Sequence, residues 1–94
     1  MLEKQFYANG QRVYEIKDDV LTYFYQDGAV KAAGGYVDGK MEGAWTFYRA
    51  DGALWQTAHF LGDQKHGRWV RYARDGAVEY DRVFAHGKSV KQEV

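Results

Sequence analysis

Apolar and polar residues alternate along most of this chain with a period of two. In Trp45-Thr46-Phe47-Tyr48 and Trp69-Val70-Arg71-Tyr72, successive side chains project to opposite faces, as on a pleated strand. In Val78-Glu79-Tyr80-Asp81-Arg82-Val83-Phe84 the alternation holds until the last pair. Asp-Gly pairs or Gly-rich segments separate the runs. Asp-Gly between alternating apolar residues signals a hairpin, because glycine adopts the positive φ that a tight turn needs. No proline interrupts the runs, and no stretch joins a helix start signal to a helical stripe. The pattern predicts strands throughout.

The runs recur every 24 residues. Asp27-Gly28, Asp51-Gly52 and Asp75-Gly76 stand in step, each preceded by an aromatic (Phe24, Tyr48, Tyr72) and followed by an apolar residue (Val30, Leu54, Val78). A second aromatic recurs at Tyr36, Phe60 and Phe84, and two copies open with Gly-x-Trp, at Gly43 to Trp45 and Gly67 to Trp69. Self-similarity at such a period marks one supersecondary unit stacked on the next. Each unit reads as strand, Asp-Gly turn, strand and longer turn, the longer turns being residues 37–43 and 61–67.

The predicted fold is therefore all-β: an antiparallel meander of repeated β-hairpins, about eight strands in a single elongated sheet, twisted or rolled to protect its aromatic face. Residues 1–94 form one domain, with an atypical N-terminal hairpin (3–19), repeats at about 20–43, 44–67 and 68–88, and a polar tail (89–94). Such a meander has two open edges, expected at about residues 3–8 and 77–85, where a second copy or a partner strand can pair.

Composition narrows the function. Thirteen basic and thirteen acidic residues cancel, so no global field draws in nucleic acid or an anionic membrane. Cysteine is absent, which favours a reducing compartment for so small a domain. The segment Met1-Leu2-Glu3-Lys4-Gln5 holds no apolar run suited to a leader or membrane span. A cytoplasmic location is expected.

Catalytic chemistry has little to work with. Serine occurs once, at Ser89, and no cysteine nucleophile exists. His59, His66 and His86 match no ligand spacing and are expected at the surface, so neither metal nor cofactor is predicted. Gly10, Gly28, Gly52 and Gly76 precede strands, whereas a phosphate-cradling loop opens a helix. Trp45 and Trp69 recur at the repeat spacing and read as scaffold.

Positions that break the repeat are the candidates for recognition. Trp55 stands where the neighbouring copies carry Lys31 and Glu79, so it is expected to face solvent, on one face with Thr57 and His59 and opposite Leu54, Ala58 and Phe60. Arg71 replaces Tyr23 and Phe47, Tyr80 replaces Ala32 and Gln56, and Arg82 replaces Gly34 and Ala58. Arg49 follows Phe47 on the same face. Interfaces use Trp, Tyr and Arg as anchors, so Trp55, His59, Arg49, Arg71, Tyr80 and Arg82 form the candidate partner-binding set.

The phrase Gly39-Lys40-Met41-Glu42-Gly43-Ala44-Trp45-Thr46-Phe47-Tyr48-Arg49-Ala50-Asp51-Gly52 resembles the MORN repeat. It is most similar to the bacterial variant found in proteins labelled as toxin–antitoxin antitoxins. The resemblance covers roughly residues 20–88; it departs in the first copy, where Leu21 takes the tryptophan place. It implies stacked hairpins, a protein-interaction role and no catalytic residue. The expectation is a non-catalytic, antitoxin- or immunity-like module that masks a partner protein, such as a toxin or effector, through a sheet face. Two alternatives are a membrane-surface or lipid-headgroup binder and a small enzyme built on the histidines.

Overall fold

A computed structural model describes residues 5–90. It contains nine antiparallel strands in one sheet: β1 (Tyr14–Lys17), β2 (Val20–Phe24), β3 (Val30–Val37), β4 (Lys40–Tyr48), β5 (Leu54–Leu61), β6 (Gln64–Lys65), β7 (Gly67–Tyr72), β8 (Val78–Ala85) and β9 (Lys88–Val90). Neighbours follow chain order, β1-β2-β3-β4-β5-β7-β8-β9, with β6 also beside β5. β6 and β7 are two parts of one run, interrupted at His66. The sheet is open, and the molecule measures 49 × 35 × 19 Å.

Two kinds of turn close the hairpins, one at each end of the strands. At one end, Asn9-Gly10, Asp27-Gly28, Asp51-Gly52 and Asp75-Gly76 build identical loops. In the second, Tyr25 N donates to Ala29 O at 2.8 Å, Gly28 N to Tyr25 O at 2.9 Å, and Ala29 N to Asp27 Oδ1 at 2.9 Å. This is a three-residue loop with glycine left-handed at φ 93°, and the Asx oxygen holds the exit. At the other end the turns have only two residues: Asp18-Asp19, Asp38-Gly39, Gly62-Asp63 and His86-Gly87. Both residues of each are left-handed, for example Asp38 at φ 52° and Gly39 at φ 76°, the type I′ geometry that matches strand twist.

The predicted longer turns at 37–43 and 61–67 are thus short turns followed by strand. Contacts from the next repeat recruit these backbones: Asp63 Oδ1 accepts from Met41 N at 2.6 Å, and Asp63 N donates to Met41 O at 3.0 Å. The expected first strand is reduced to a single bridge, Phe6 with Arg12, and residues 3 and 4 lie outside the described residues. Ser89 and Val90, expected in a polar tail, belong to β9. Residues 77–85 are therefore not an edge, because β9 pairs with β8; the outermost strands are β1 and β9.

One face carries the core. Leu21, Ala32, Trp45, Ala58, Trp69 and Phe84 are buried, with Tyr14, Tyr23, Tyr36, Met41, Phe47, Phe60 and Tyr80 packed against them. Leu21 and Trp45 are each 1% exposed, so the sheet curls until its rings cover one another. Trp45 touches Tyr23, Phe47 and Phe60 at centroid distances of 6.3, 6.1 and 6.1 Å, a range in which rings attract beyond their area burial. The two repeat tryptophans are held alike: Trp45 Nε1 donates to Gly35 O and Trp69 Nε1 to His59 O, both at 3.0 Å. Each reaches back ten residues onto the preceding strand, which locks one hairpin to the next.

Candidate interaction surface

Ladder register assigns the candidate residues to faces. Phe47 pairs with Gln56, Gln56 with Arg71, and Arg71 with Tyr80, so these share the aromatic face; Arg82, opposite Trp69, lies there too. Trp55 joins them by a local irregularity. Phe47 pairs with Gln56 but Tyr48 pairs with Leu54, so Trp55 is an extra residue in β5. Lys31 and Glu79 are the extra residues at the same place in the neighbouring repeats. A bulge shifts the alternation by one. Consequently Trp55 lies with Gln56 rather than with Thr57 and His59, and Leu54 crosses to the other face, away from Ala58 and Phe60. Trp55 is half-buried, where solvent exposure was expected.

Four candidates meet as an alternating stack near the Asp-Gly end of the aromatic face. The Arg71 guanidinium lies 5.3 Å from the Trp55 ring centroid and 5.2 Å from that of Tyr80, and the Arg82 guanidinium lies 5.3 Å from Tyr80. These are cation–π distances. Gln56, buried, orients Arg71 by accepting from its Nε at 3.0 Å. Among the described residues neither Arg71 nor Arg82 has a carboxylate partner, whereas Arg68 pairs with Asp81 at 2.8 Å and Arg74 with Asp51 at 3.6 Å. The Arg68 hydrogen bond, foremost, holds the Asp81 carboxyl below the usual range. On the same face, burial first and the neighbouring Tyr36 second raise the Tyr23 phenol above its ordinary value.

Two candidates do not join. His59 lies on the opposite face, where Ala44 is its register partner. Arg49 belongs to the scaffold: its Nη2 donates to Tyr72 O at 2.8 Å, the role that Tyr25 plays toward Tyr48 O at 2.7 Å one repeat earlier. Its Nε is buried without a partner among the described residues. The histidines match no ligand spacing in the sequence, yet His66, which interrupts the β6–β7 run, meets His86 of the β8–β9 turn, with ring centroids 5.1 Å apart and His86 N donating to His66 Nδ1 at 3.3 Å. Among the described residues no three His, Asp or Glu side chains gather as a metal-holding group.

Sequence reasoning overlooked the second face of the sheet. Among the described residues, nine large hydrophobic side chains are exposed. Seven of them, Val20, Val30, Val37, Leu54, Leu61, Val78 and Val90, fall on the face opposite the rings, the aliphatic face. A row of short side chains crosses this face in unbroken register: Thr22, Ala33, Thr46, Thr57 and then Val70. Larger ones flank the row on the Asp-Gly side, namely Tyr48, Leu54, Tyr72 and Val78. The resulting hollows have volumes of about 340 Å³, over Thr46, Thr57 and Val70, and about 460 Å³, over Thr22 and Ala33. The signal was present in the apolar residues that follow each Asp-Gly pair, which are landmarks of the repeat and all point to this face.

No family model matches the chain, and no curated protein or solved structure matches it. Among the described residues no helix is long and apolar enough to cross a membrane.

Proposed function

We propose that this chain is a non-catalytic protein-binding module that masks a partner protein through its aromatic face, in the antitoxin- or immunity-like manner that the MORN resemblance implies. One observation carries the reading: Trp55, Arg71, Tyr80 and Arg82 form one contiguous stack in which both guanidiniums lack a carboxylate partner among the described residues. Trp, Tyr and Arg are the side chains that anchor interfaces, and Arg71, already oriented by Gln56, loses less rotamer entropy when a partner docks than a free side chain would. The partner covers the stack and excludes water from it, which strengthens its electrostatics.

Affinity capture from the host's lysate tests the reading, with wild type, Trp55→Ala and Arg82→Ala as baits after circular dichroism has established that all three fold. The expected result is one protein retained by wild type and lost by both variants. A wild-type bait that captures nothing specific, or variants that capture the same protein equally well, would overturn the assignment.

A further inference from the structure

We propose that the aliphatic face is a self-association surface on which a second copy of this chain packs face to face, forming a two-sheet sandwich with both aromatic faces outward. A sheet that buries one face ordinarily covers the other or fills it with polar side chains; on this face Glu15, Lys17, Lys40 and Lys88 lie toward the margins, and the centre is a row of short, uncharged side chains flanked by apolar ones. Here seven of the nine exposed large hydrophobics occupy the uncovered face.

Three features select a second copy as the occupant. The first is shape. A two-fold interface must be self-complementary. The row of short side chains through Thr46 and Thr57 forms a groove, and the adjoining Tyr48, Leu54, Tyr72 and Val78 form a ridge, so under a two-fold axis the ridge of each copy enters the groove of the other. The second is charge. Arg68 on this face is neutralised by Asp81, Glu42 is engaged by Gly62 N at 2.8 Å, and the remaining charges, Glu15, Lys17, Lys40 and Lys88, lie toward the margins of a chain whose formal net charge is zero, so the centres of two copies meet without an unpaired charge. The third is area. Eight strands lie side by side along the sheet path. At a spacing of ~4.8 Å and a strand length of ~20 Å they present roughly 700 Å² per copy. Two such faces bury roughly 1,400 Å², within the ~1,200–2,000 Å² of stable interfaces.

Sedimentation equilibrium of the full chain at ~10–100 μM, a range set by the micromolar affinities such areas can support, should give a mass twice 10.8 kDa. The double variant Leu54→Lys, Val78→Lys should sediment as a monomer, its association weakened at least ~100-fold, since a charge buried without a partner carries several-fold more than the cost of one decade. Both positions are well exposed within one copy, at 42% and 57%, so near-ultraviolet circular dichroism should stay at wild type. Trp55→Ala, on the other face, should remain dimeric. A second measurement distinguishes face-to-face from edge-to-edge pairing, on a labelled chain whose dimeric mass sedimentation has first established. The chain has no cysteine, so Thr57→Cys carries one spin label. Sheets ~10 Å apart bring two such labels within ~25 Å, whereas pairing through β1 or β9 holds them more than ~30 Å apart at ~4.8 Å per strand. A wild-type chain that is monomeric at the top of this range, a lysine variant that stays dimeric, or labels beyond 30 Å would each overturn the proposal, the first leaving the face to a foreign partner.

Discussion

Gly34 lies on β3 directly opposite Trp45, and a methyl group added there would overlap the indole's Cγ, Cδ1 and Cδ2. The indole has little room to retreat: it is 1% exposed, ringed by three aromatics, and tethered by its Nε1 bond to Gly35 O. Two effects oppose each other in Gly34→Ala. Overpacking a filled core costs ~1–3 kcal/mol. Restricting the unfolded chain stabilises by ~0.4–1 kcal/mol, since Gly34 does not need a positive φ. The repeat holds an internal precedent for which wins. Ala58 occupies the place of Gly34 one repeat later, opposite Trp69, and there the ladder between β5 and β7 stops at Thr57–Val70, whereas the ladder between β3 and β4 continues through Gly34–Trp45. One ladder pair fewer is what a methyl beside the indole would be expected to cost. Gly34→Ala should therefore lose a net ~1–2 kcal/mol, a large fraction of the ~5–14 kcal/mol available to a chain this long. In urea the midpoint should fall by ~1–2 M at an m value near ~1 kcal/mol/M, and the melting temperature by ~4–16 °C. Tryptophan fluorescence and far-ultraviolet circular dichroism should report the same transition. An alanine variant as stable as wild type, or more so, would show that the indole yields freely and that the tether argument is wrong.

Arg49→Tyr should stabilise by roughly 1 kcal/mol, because it removes a buried guanidinium Nε without a partner and restores the tyrosine that performs the same carbonyl contact in the preceding repeat; thermal unfolding measures it, and captured partner should be unaffected since Arg49 lies outside the stack. Asp81→Asn should flatten the acid limb of the stability curve. The folded-state pKa of Asp81 is depressed, so its contribution is present above the unfolded value near ~3.9 and is lost as pH falls through the lower folded value. Urea midpoints between pH 2 and pH 6 follow this, and a variant with an unchanged acid limb would mean that the Arg68 hydrogen bond does not persist in solution.

The fold was legible because one period governs it. Asp27-Gly28 and its equivalents fixed the hairpins, and alternation around Trp45 and Trp69 fixed the rings on a common face. What escaped depends on partners distant in sequence. Residues 40–43 read as turn by composition, yet they extend β4 because Asp63, from the next repeat, binds Met41 through both backbone and side chain. The phase at Trp55 escaped for a different reason: alternation assumes one residue per pleat, and a bulge breaks that rule without any glycine to announce it. Lys31 and Glu79 tolerate the same position because an extra residue at a strand end reaches the rim, where a long side chain extends into water. The arginine–aromatic stack was visible only as a set of deviations from the repeat, and its assembly required the register of β5, β7 and β8.

Near-identical loops at each end carry a consequence for how the chain finds its fold. Hairpins built on one template are interchangeable to a first approximation, so a meander of them has competitors in which a hairpin docks out of order or is exchanged with another molecule. Side-chain contacts that occur only once among the described residues remove that degeneracy. Arg71 Nε to Gln56 Oε1, Met41 N to Asp63 Oδ1, and Lys65 poised over both Trp69 and Phe84 at 4.8 and 4.9 Å each fit a single neighbour. They act as addresses written onto equivalent modules, and the departures from strict repetition thereby specify the order of assembly.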